Sequence, residues 1–168
     1  MTEFAIVPLA AEHDRSQFDC GEPTLNDFIR LHATQYERRH LGRTFVAVEI
    51  GKPRVDGFYT ISAGAVAFET LPDHVRRKLP RHPMPVIHLG RLAVDRKCRG
   101  IRLGETLLID ALQRSHKLAQ TVGVFAVEVI AVDQAAKSFY LKYGFVPLLD
   151  DPQHLYMSMK TINALANP

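Results

Sequence analysis

An apolar run from Val86 to Val94 leads straight into Asp95-Arg96-Lys97-Cys98-Arg99-Gly100-Ile101-Arg102-Leu103-Gly104. Beyond it Leu107, Leu108, Ala111, Leu112, Ser115 and Leu118 recur at helical spacing. A strand, a turn with two glycines and a helix start, in that order, restrict the chain to mixed α/β folds in which a buried strand feeds a helix. Glycines in such a turn let backbone N–H groups approach a phosphate, and the helix N-terminus adds partial positive charge. The turn therefore has the make-up of an anion cradle, although read alone it also fits a tight connector. It lacks the Gly-Lys-Ser/Thr ending of a nucleotide P-loop, and Gly100 to Gly104 does not form the dinucleotide fingerprint, so ATP and NAD fit poorly.

The remaining pattern places this unit in a sheet. Strands are expected at 4–9, 44–48, 55–66, 124–131, 145–148 and 155–159. A helix starts near Thr24 as N-cap, carries Leu25, Phe28, Ile29, Ala33 and Tyr36, and ends by Gly42. Residues 72–79 read as a short helix, followed by an extended connector through Pro80, Pro83 and Pro85. Asp133 can cap a helix bearing Ala136, Phe139 and Tyr140 that stops at Gly144. At 168 residues the chain fits one domain, assigned here to 1–160 with a tail at 161–168.

Composition narrows the chemistry. No apolar run approaches the roughly 20 residues that cross a bilayer, and the start shows no signal-peptide pattern, so a cytoplasmic protein without membrane attachment is expected. Cys20 and Cys98 are too few for a disulfide scaffold and read as free thiols. No Cys/His grouping has metal-site spacing, so no metal is expected. The 21 Lys and Arg against 18 Asp and Glu leave a formal charge of +3. The basic residues are unevenly placed: Arg76, Arg77, Lys78, Arg81, Arg91, Arg96, Lys97, Arg99 and Arg102 face Asp95 as the one acid among them. Such a cluster suits either a solvated surface or a polyanionic partner.

Together these segments resemble the Gcn5-related N-acetyltransferase (GNAT) superfamily, whose acetyl-coenzyme A motif, Gln/Arg-x-x-Gly-x-Gly/Ala, reads here Arg99-Gly100-Ile101-Arg102-Leu103-Gly104. Arg102 stands where the first motif glycine is usual, which narrows backbone approach and adds a phosphate partner. The Phe139-Tyr140-x-x-x-Gly144-Phe145 element continues the resemblance, which spans nearly the whole chain. A closer similarity is to the TacT/AtaT-like toxin branch that modifies aminoacyl-tRNA. It is carried by Phe18-Asp19-Cys20-Gly21, Leu25-Asn26-x-Phe28-Ile29, Arg43-Thr44-Phe45-Val46, Gly57-Phe58-Tyr59-Thr60 and Leu89-Gly90-Arg91-Leu92-Ala93-Val94-Asp95.

The resemblance implies a mostly antiparallel sheet of six to seven strands, splayed at its centre and flanked by helices. It implies acetyl-CoA as co-substrate and the α-amino group of aminoacyl-tRNA as acceptor, with blocked translation as the result. A ribbon-helix-helix antitoxin and a homodimer are the implied partners. The pantetheine arm would pair with Leu92, Ala93 and Val94 as an added strand. The diphosphate would rest on Arg99, Gly100, Ile101, Arg102, Leu103, Gly104 and Glu105, with Asp133 in range of the cofactor and Arg96 and Lys97 near its charges. Tyr140 aligns with the family's proton-donating tyrosine, with Tyr143 as competitor. Arg38, Arg39, Arg43, Arg76, Arg77, Lys78, Arg81 and Arg91 would meet tRNA phosphates. The histidines, His82 and His88 included, read as structural or solvent-facing, and nothing near Cys98 supplies a dedicated base. Two alternatives stay open: a protein or small-molecule amine as acceptor, and a catalytically silent module that binds nucleic acid or antitoxin.

Overall fold

The computed structural model describes residues 2–167. Seven strands form one sheet in the order β1-β2-β3-β4-β5-β7-β6. They are β1 (Phe4–Pro8), β2 (Arg43–Glu49), β3 (Val55–Val66), β4 (Met84–Val94), β5 (Ala126–Ile130), β6 (Val146–Pro147) and β7 (His154–Ser158). β1–β2, β2–β3, β5–β7 and β6–β7 pair antiparallel and β4–β5 parallel, which is the mostly antiparallel mixed sheet expected. The chain packs as two compact units: residues up to Ser62 together with Leu89–Ala111, and Ala63–His88 together with the residues from Leu112 onward. β3 and β4 run from one unit into the other.

In the first unit, β1 pairs with β2 from Phe4↔Glu49 to Pro8↔Phe45, and β2 with β3 from Arg43↔Ile61, with an irregularity between Ala47 and Val48. Its core joins Phe18, Phe28, Ile29, Val46, Val55 and Phe58. Phe18 meets Phe58 edge-on at 5.4 Å, and Phe28 stacks on Phe58 at 6.0 Å. The expected long helix is present but interrupted: α1 (Pro23–Asp27), a π-helical turn (Phe28–His32) and α2 (Ala33–Arg38). Pro23 at the first helical position starts it in place of Thr24 as cap, because a missing N–H costs nothing there. It ends at Arg38 rather than near Gly42, with Arg39 as cap. His40 turns left-handed at φ 59° while His40 N–H reaches the Glu37 carbonyl and Leu41 N–H that of Tyr36, the double closure of a Schellman motif.

α4 (Leu103–Leu118) buries Leu103, Leu107, Leu108, Ala111 and Ser115. The predicted stripe overran at its end, since Leu118 is exposed. Gly57 on β3 permits close approach: a β-carbon there would stand 2.9 Å from Leu107 Cδ1 and 3.2 Å from the Ala93 carbonyl oxygen.

In the second unit, β4 pairs with β5 from Val86↔Ala126 to His88↔Glu128, and β5 with β7 from Ala126↔Ser158 to Ile130↔His154. A core of Val66, Leu71, Met84, Val86, Ala126, Leu148 and Tyr156 covers one face. After a turn of 3-10 helix at Phe68–Thr70, α3 spans Asp73–Arg76, shorter than the expected 72–79, because Lys78 and Leu79 bond three residues back and tighten the remainder. Pro85 lies inside β4 instead of the connector. α5 (Gln134–Lys142) is capped as expected, Asp133 accepting from Ala136 N–H at 2.8 Å. Beyond residue 160 a loose tail was expected. Instead α6 (Met159–Ala166) forms, capped by Ser158 Oγ accepting from Thr161 N–H at 3.2 Å, and buries Met159 and Ile162.

Candidate active site

β4 enters the first unit at Leu89 and runs to Val94, one turn of 3-10 helix follows at Arg96–Cys98, and α4 opens at Leu103. This stretch was expected to be buried on both faces. Only Leu89 and Ala93 are buried in it, while Gly90 is exposed and Arg91, Leu92 and Val94 are half-exposed. The β4–β5 pairing ends at His88↔Glu128, yet β4 continues for six residues to Val94. The strand thus outruns the pairing at the point where a splay was expected.

The turn owes its shape to two left-handed residues, Gly100 at φ 82° and Arg102 at φ 62°. Glycine is favoured at such angles, and an arginine there carries a penalty of about 1 kcal/mol. No heavy atom lies within 4 Å of where a Gly100 β-carbon would stand, and Arg99, Gly100, Ile101 and Arg102 are exposed. The α4 N-terminus opens at Leu103 and Gly104, where backbone N–H groups lack a carbonyl one turn back inside the helix. A diphosphate fits these residues: exposed main chain, a helix N-terminus and open space beside the glycine.

The flanking cations are engaged elsewhere. Arg99 Nη2 donates to the Cys20 carbonyl at 2.6 Å, and Arg96 Nε lies 3.9 Å from Asp19 Oδ1. Both guanidinium groups wrap Gly21, itself left-handed at φ 93°. They pin the Asp19–Gly21 loop against the turn, a role the sequence did not reveal. Asp95 is the node of this arrangement. It is 2% exposed and accepts from Asp19 N–H at 3.1 Å, from Lys97 N–H at 2.9 Å and from Arg54 Nη2 at 3.2 Å. Cys98 sits beside it as an inert thiol: burial pushes its titration up, and the Asp56 and Asp95 carboxylates push it further.

In the second unit, Tyr140 is buried near the end of α5, edge-on to Phe139 and to Phe145, each at 5.3 Å. Burial raises its phenol well above the ordinary tyrosine range, so it stays protonated throughout the physiological range. Its hydroxyl makes no hydrogen bond to any described residue. Tyr143, the competitor, is half-exposed and lies edge-on to Phe139 at 5.0 Å. Asp133 is exposed and serves as the α5 cap.

The basic candidates separate into two groups. In the first unit Arg38 and Arg39 are exposed at the end of α2, and Arg43 pairs with Glu37 at 2.7 Å. Arg91 instead lies over the Phe28 ring at 3.7 Å and the Tyr36 ring at 5.2 Å, which makes it a stacking partner of the helix. In the second unit Arg76, Arg77 and Arg81 line one open depression of about 590 Å³ with Phe68, Glu69, Asp73 and Leu79. Arg76 pairs there with Asp73. Lys78 turns to a neighbouring cavity of about 370 Å³ that it shares with His74 and Lys160.

Sequence reasoning missed a second charged node. Glu128 on β5 is 6% exposed, and its two oxygens are taken by His88 Nδ1 from β4 and His154 Nε2 from β7. His154 Nδ1 meets Asp150 at 2.9 Å. Burial opposes charge on Glu128, but the two histidines outweigh it and hold the carboxyl below its usual range. Burial opposes charge on His154 too, and Asp150 and Glu128 outweigh it in turn. A glutamate among valines in a buried strand was the available signal. Among the described residues no group of His, Cys, Asp and Glu is arranged to hold a metal ion.

The sequence model of the acetyltransferase (GNAT) domain matches residues 76–155. The chain is 41% identical over 152 residues to the tRNA-acetylating toxin of Mycobacterium tuberculosis (strain ATCC 25618 / H37Rv), covering 90% of each. It superposes on AtaT complexed with acetyl-methionyl-tRNAfMet with a TM-score of 0.92, at 29% identity and covering 98% of this chain and 100% of that one. It superposes on a mutant AtaT toxin bound to the C-terminus of the antitoxin AtaR and acetyl-CoA with a TM-score of 0.85, at 28% identity and covering 98% and 99%.

Proposed function

The chain belongs to the GNAT acetyltransferases in their tRNA-acetylating toxin branch, and on that premise we propose how its residues divide the transfer of acetyl from acetyl-CoA to the α-amino group of aminoacyl-tRNA. The observation that carries the reading is β4 outrunning its β5 pairing by six residues and ending in the left-handed turn that opens α4. Leu92, Ala93 and Val94 take the pantetheine arm as an added strand. The amides from Arg99 to Glu105 take the diphosphate, with Arg102 beside its charge and Arg99 bracing the turn through Cys20. Asp133 acts at one remove by starting the helix that carries Tyr140.

A free α-amino group has a pKa near 8, so a good share is neutral at cytosolic pH and can attack the thioester directly. The harder step is the departure of the thiolate. Tyr140, kept protonated by burial, supplies the proton to sulfur as general acid. Acceptor tRNA is met by the Arg76, Arg77 and Arg81 depression, with Lys78 nearby and Arg38, Arg39 and Arg43 on the other unit, while Arg91 supports the helix it stacks on.

We further propose that the protein acts in the cytoplasm as a homodimer, that its antitoxin is of the ribbon-helix-helix type, and that 1–160 works as one catalytic domain. The AtaT–AtaR neighbour supports the antitoxin. Among the described residues no helix is long and apolar enough to cross a membrane. Calorimetric titration with acetyl-CoA tests the cofactor half. Gly100→Val, which forces a branched residue to φ 82°, is expected to weaken binding at least tenfold, a loss of about 1.4 kcal/mol. Undiminished affinity would remove the turn from the diphosphate site.

A further inference from the structure

The His88–Glu128–His154–Asp150 chain is a connected set of titratable side chains that the acetyl-CoA reading leaves unused. Its position is specific. His88 is the last β4 residue paired to β5, directly opposite Glu128, and from the next residue β4 continues beyond the pairing. The two ends of the chain differ in access. Glu128 is buried, whereas the His88 side chain is 33% exposed. Only small residues of β3 flank it: a β-carbon on Gly64 would lie in ordinary contact, 3.6 Å from His88 Cβ, and Ala63 and Ala65 are exposed.

We propose that His88 is the proton acceptor for the attacking α-amino group, with Glu128 as its positioning residue. The inference rests on the acetyl-transfer reading above. Glu128 accepts the hydrogen bond from His88 Nδ1, which fixes the tautomer in which Nε2 carries the free lone pair. The second Glu128 oxygen is occupied by His154, which Asp150 holds from its other side, so the carboxylate is fixed from both directions. Tyr156, the β7 partner opposite Glu128, is kept neutral by burial and adds no charge to the cluster. In the reaction the amine nitrogen forms its bond to the acetyl carbon and the carbon–sulfur bond breaks. Before the attack His88 Nε2 takes one proton from the α-ammonium and releases it to solvent; the leaving sulfur then takes the Tyr140 proton, and the second proton, shed by nitrogen as the amide forms, restores Tyr140 through solvent. No further reactant is needed.

The test is the pH profile of acetyl transfer to total charged tRNA, with acetyl-CoA affinity as folding control. His88→Asn keeps a nitrogen donor facing Glu128 and loses the acceptor at Nε2. We expect kcat to fall about 10²-fold near pH 6.5, with KM for acetyl-CoA unchanged, and the deficit to shrink toward pH 9, where the α-amino group is already neutral. Glu128→Gln should give a smaller loss with the same pH dependence, and imidazole should restore part of the turnover of His88→Ala. A His88→Asn deficit independent of pH, or no deficit, would overturn the proposal. Should His88→Asn fail its folding control, the Glu128→Gln profile decides: a loss that fades toward pH 9 supports the proposal and a flat one overturns it. Failure of the underlying reading looks different, because the wild-type chain would then leave charged tRNA unmodified at every pH.

Discussion

Arg102 holds φ 62° at the position where the acetyl-CoA motif usually has glycine, so the exception sits on a strained main-chain angle. Comparing Arg102→Gly with Arg102→Ala isolates the angle from the charge. Urea unfolding should find the glycine variant more stable than the alanine variant by about 1 kcal/mol, and equal stabilities would show that the angle relaxes in solution. Tyr140→Phe removes a hydroxyl that bonds no described residue, so folding and acetyl-CoA affinity should persist while turnover drops about 10² to 10⁴-fold; an unchanged turnover number removes Tyr140 from the reaction. As candidates, Arg99 to Gly104 and Tyr140 were legible in the sequence because their spacing along the chain is their signature. His88 was not. Its partner Glu128 is 40 residues away, and a strand register decides whether the two meet.

Helix and strand types followed from periodicity and capping, as α4 and α5 illustrate, with Asp133 capping α5 as its position promised. Two misreadings have physical causes. Residues 86–94 carry the apolar content of a doubly buried strand, but burial depends on neighbours, and β4 loses the β5 pairing halfway. The C-terminal segment looked loose because Met159-Lys160-Thr161-Ile162 is short, yet Ser158 caps it and Ile162 is buried. Ser158→Ala should cost about 1 kcal/mol in chemical unfolding, whereas no loss would mean that packing alone holds α6. Gly57 lets β3 approach β4 and α4 closely in the first unit. Gly57→Ala places a β-carbon against Leu107 and the Ala93 carbonyl, and should destabilise by about 1 to 3 kcal/mol; a neutral result would show that Leu107 swings aside freely.

Across the molecule, charge supplies a stability window and, on the proposed reading, a route to the substrate. His154 titrates higher in the folded chain, so its contribution is complete below its unfolded value near 6.5 and drains away as pH rises through the folded value. Glu128 titrates lower, so its contribution is complete above about 4.5 and is lost as pH falls through its folded value. The stability difference between the wild type and His154→Gln should therefore be greatest between about pH 4.5 and 6.5 and narrow toward pH 9; a difference flat across that range would mean the pair contributes nothing. The uneven basic charge was visible in the sequence, but its division was not: Arg76, Arg77 and Arg81 gather at one depression while Arg91 is stacked on aromatic rings. Incubation with acetyl-CoA and total charged tRNA, followed by mass analysis of the released aminoacyl adenosines, tests the central claim most directly. The wild type should yield aminoacyl adenosine heavier by one acetyl group on the α-amine, and Tyr140→Phe almost none. Charged tRNA recovered unmodified while acetyl-CoA is bound or consumed elsewhere would contradict it.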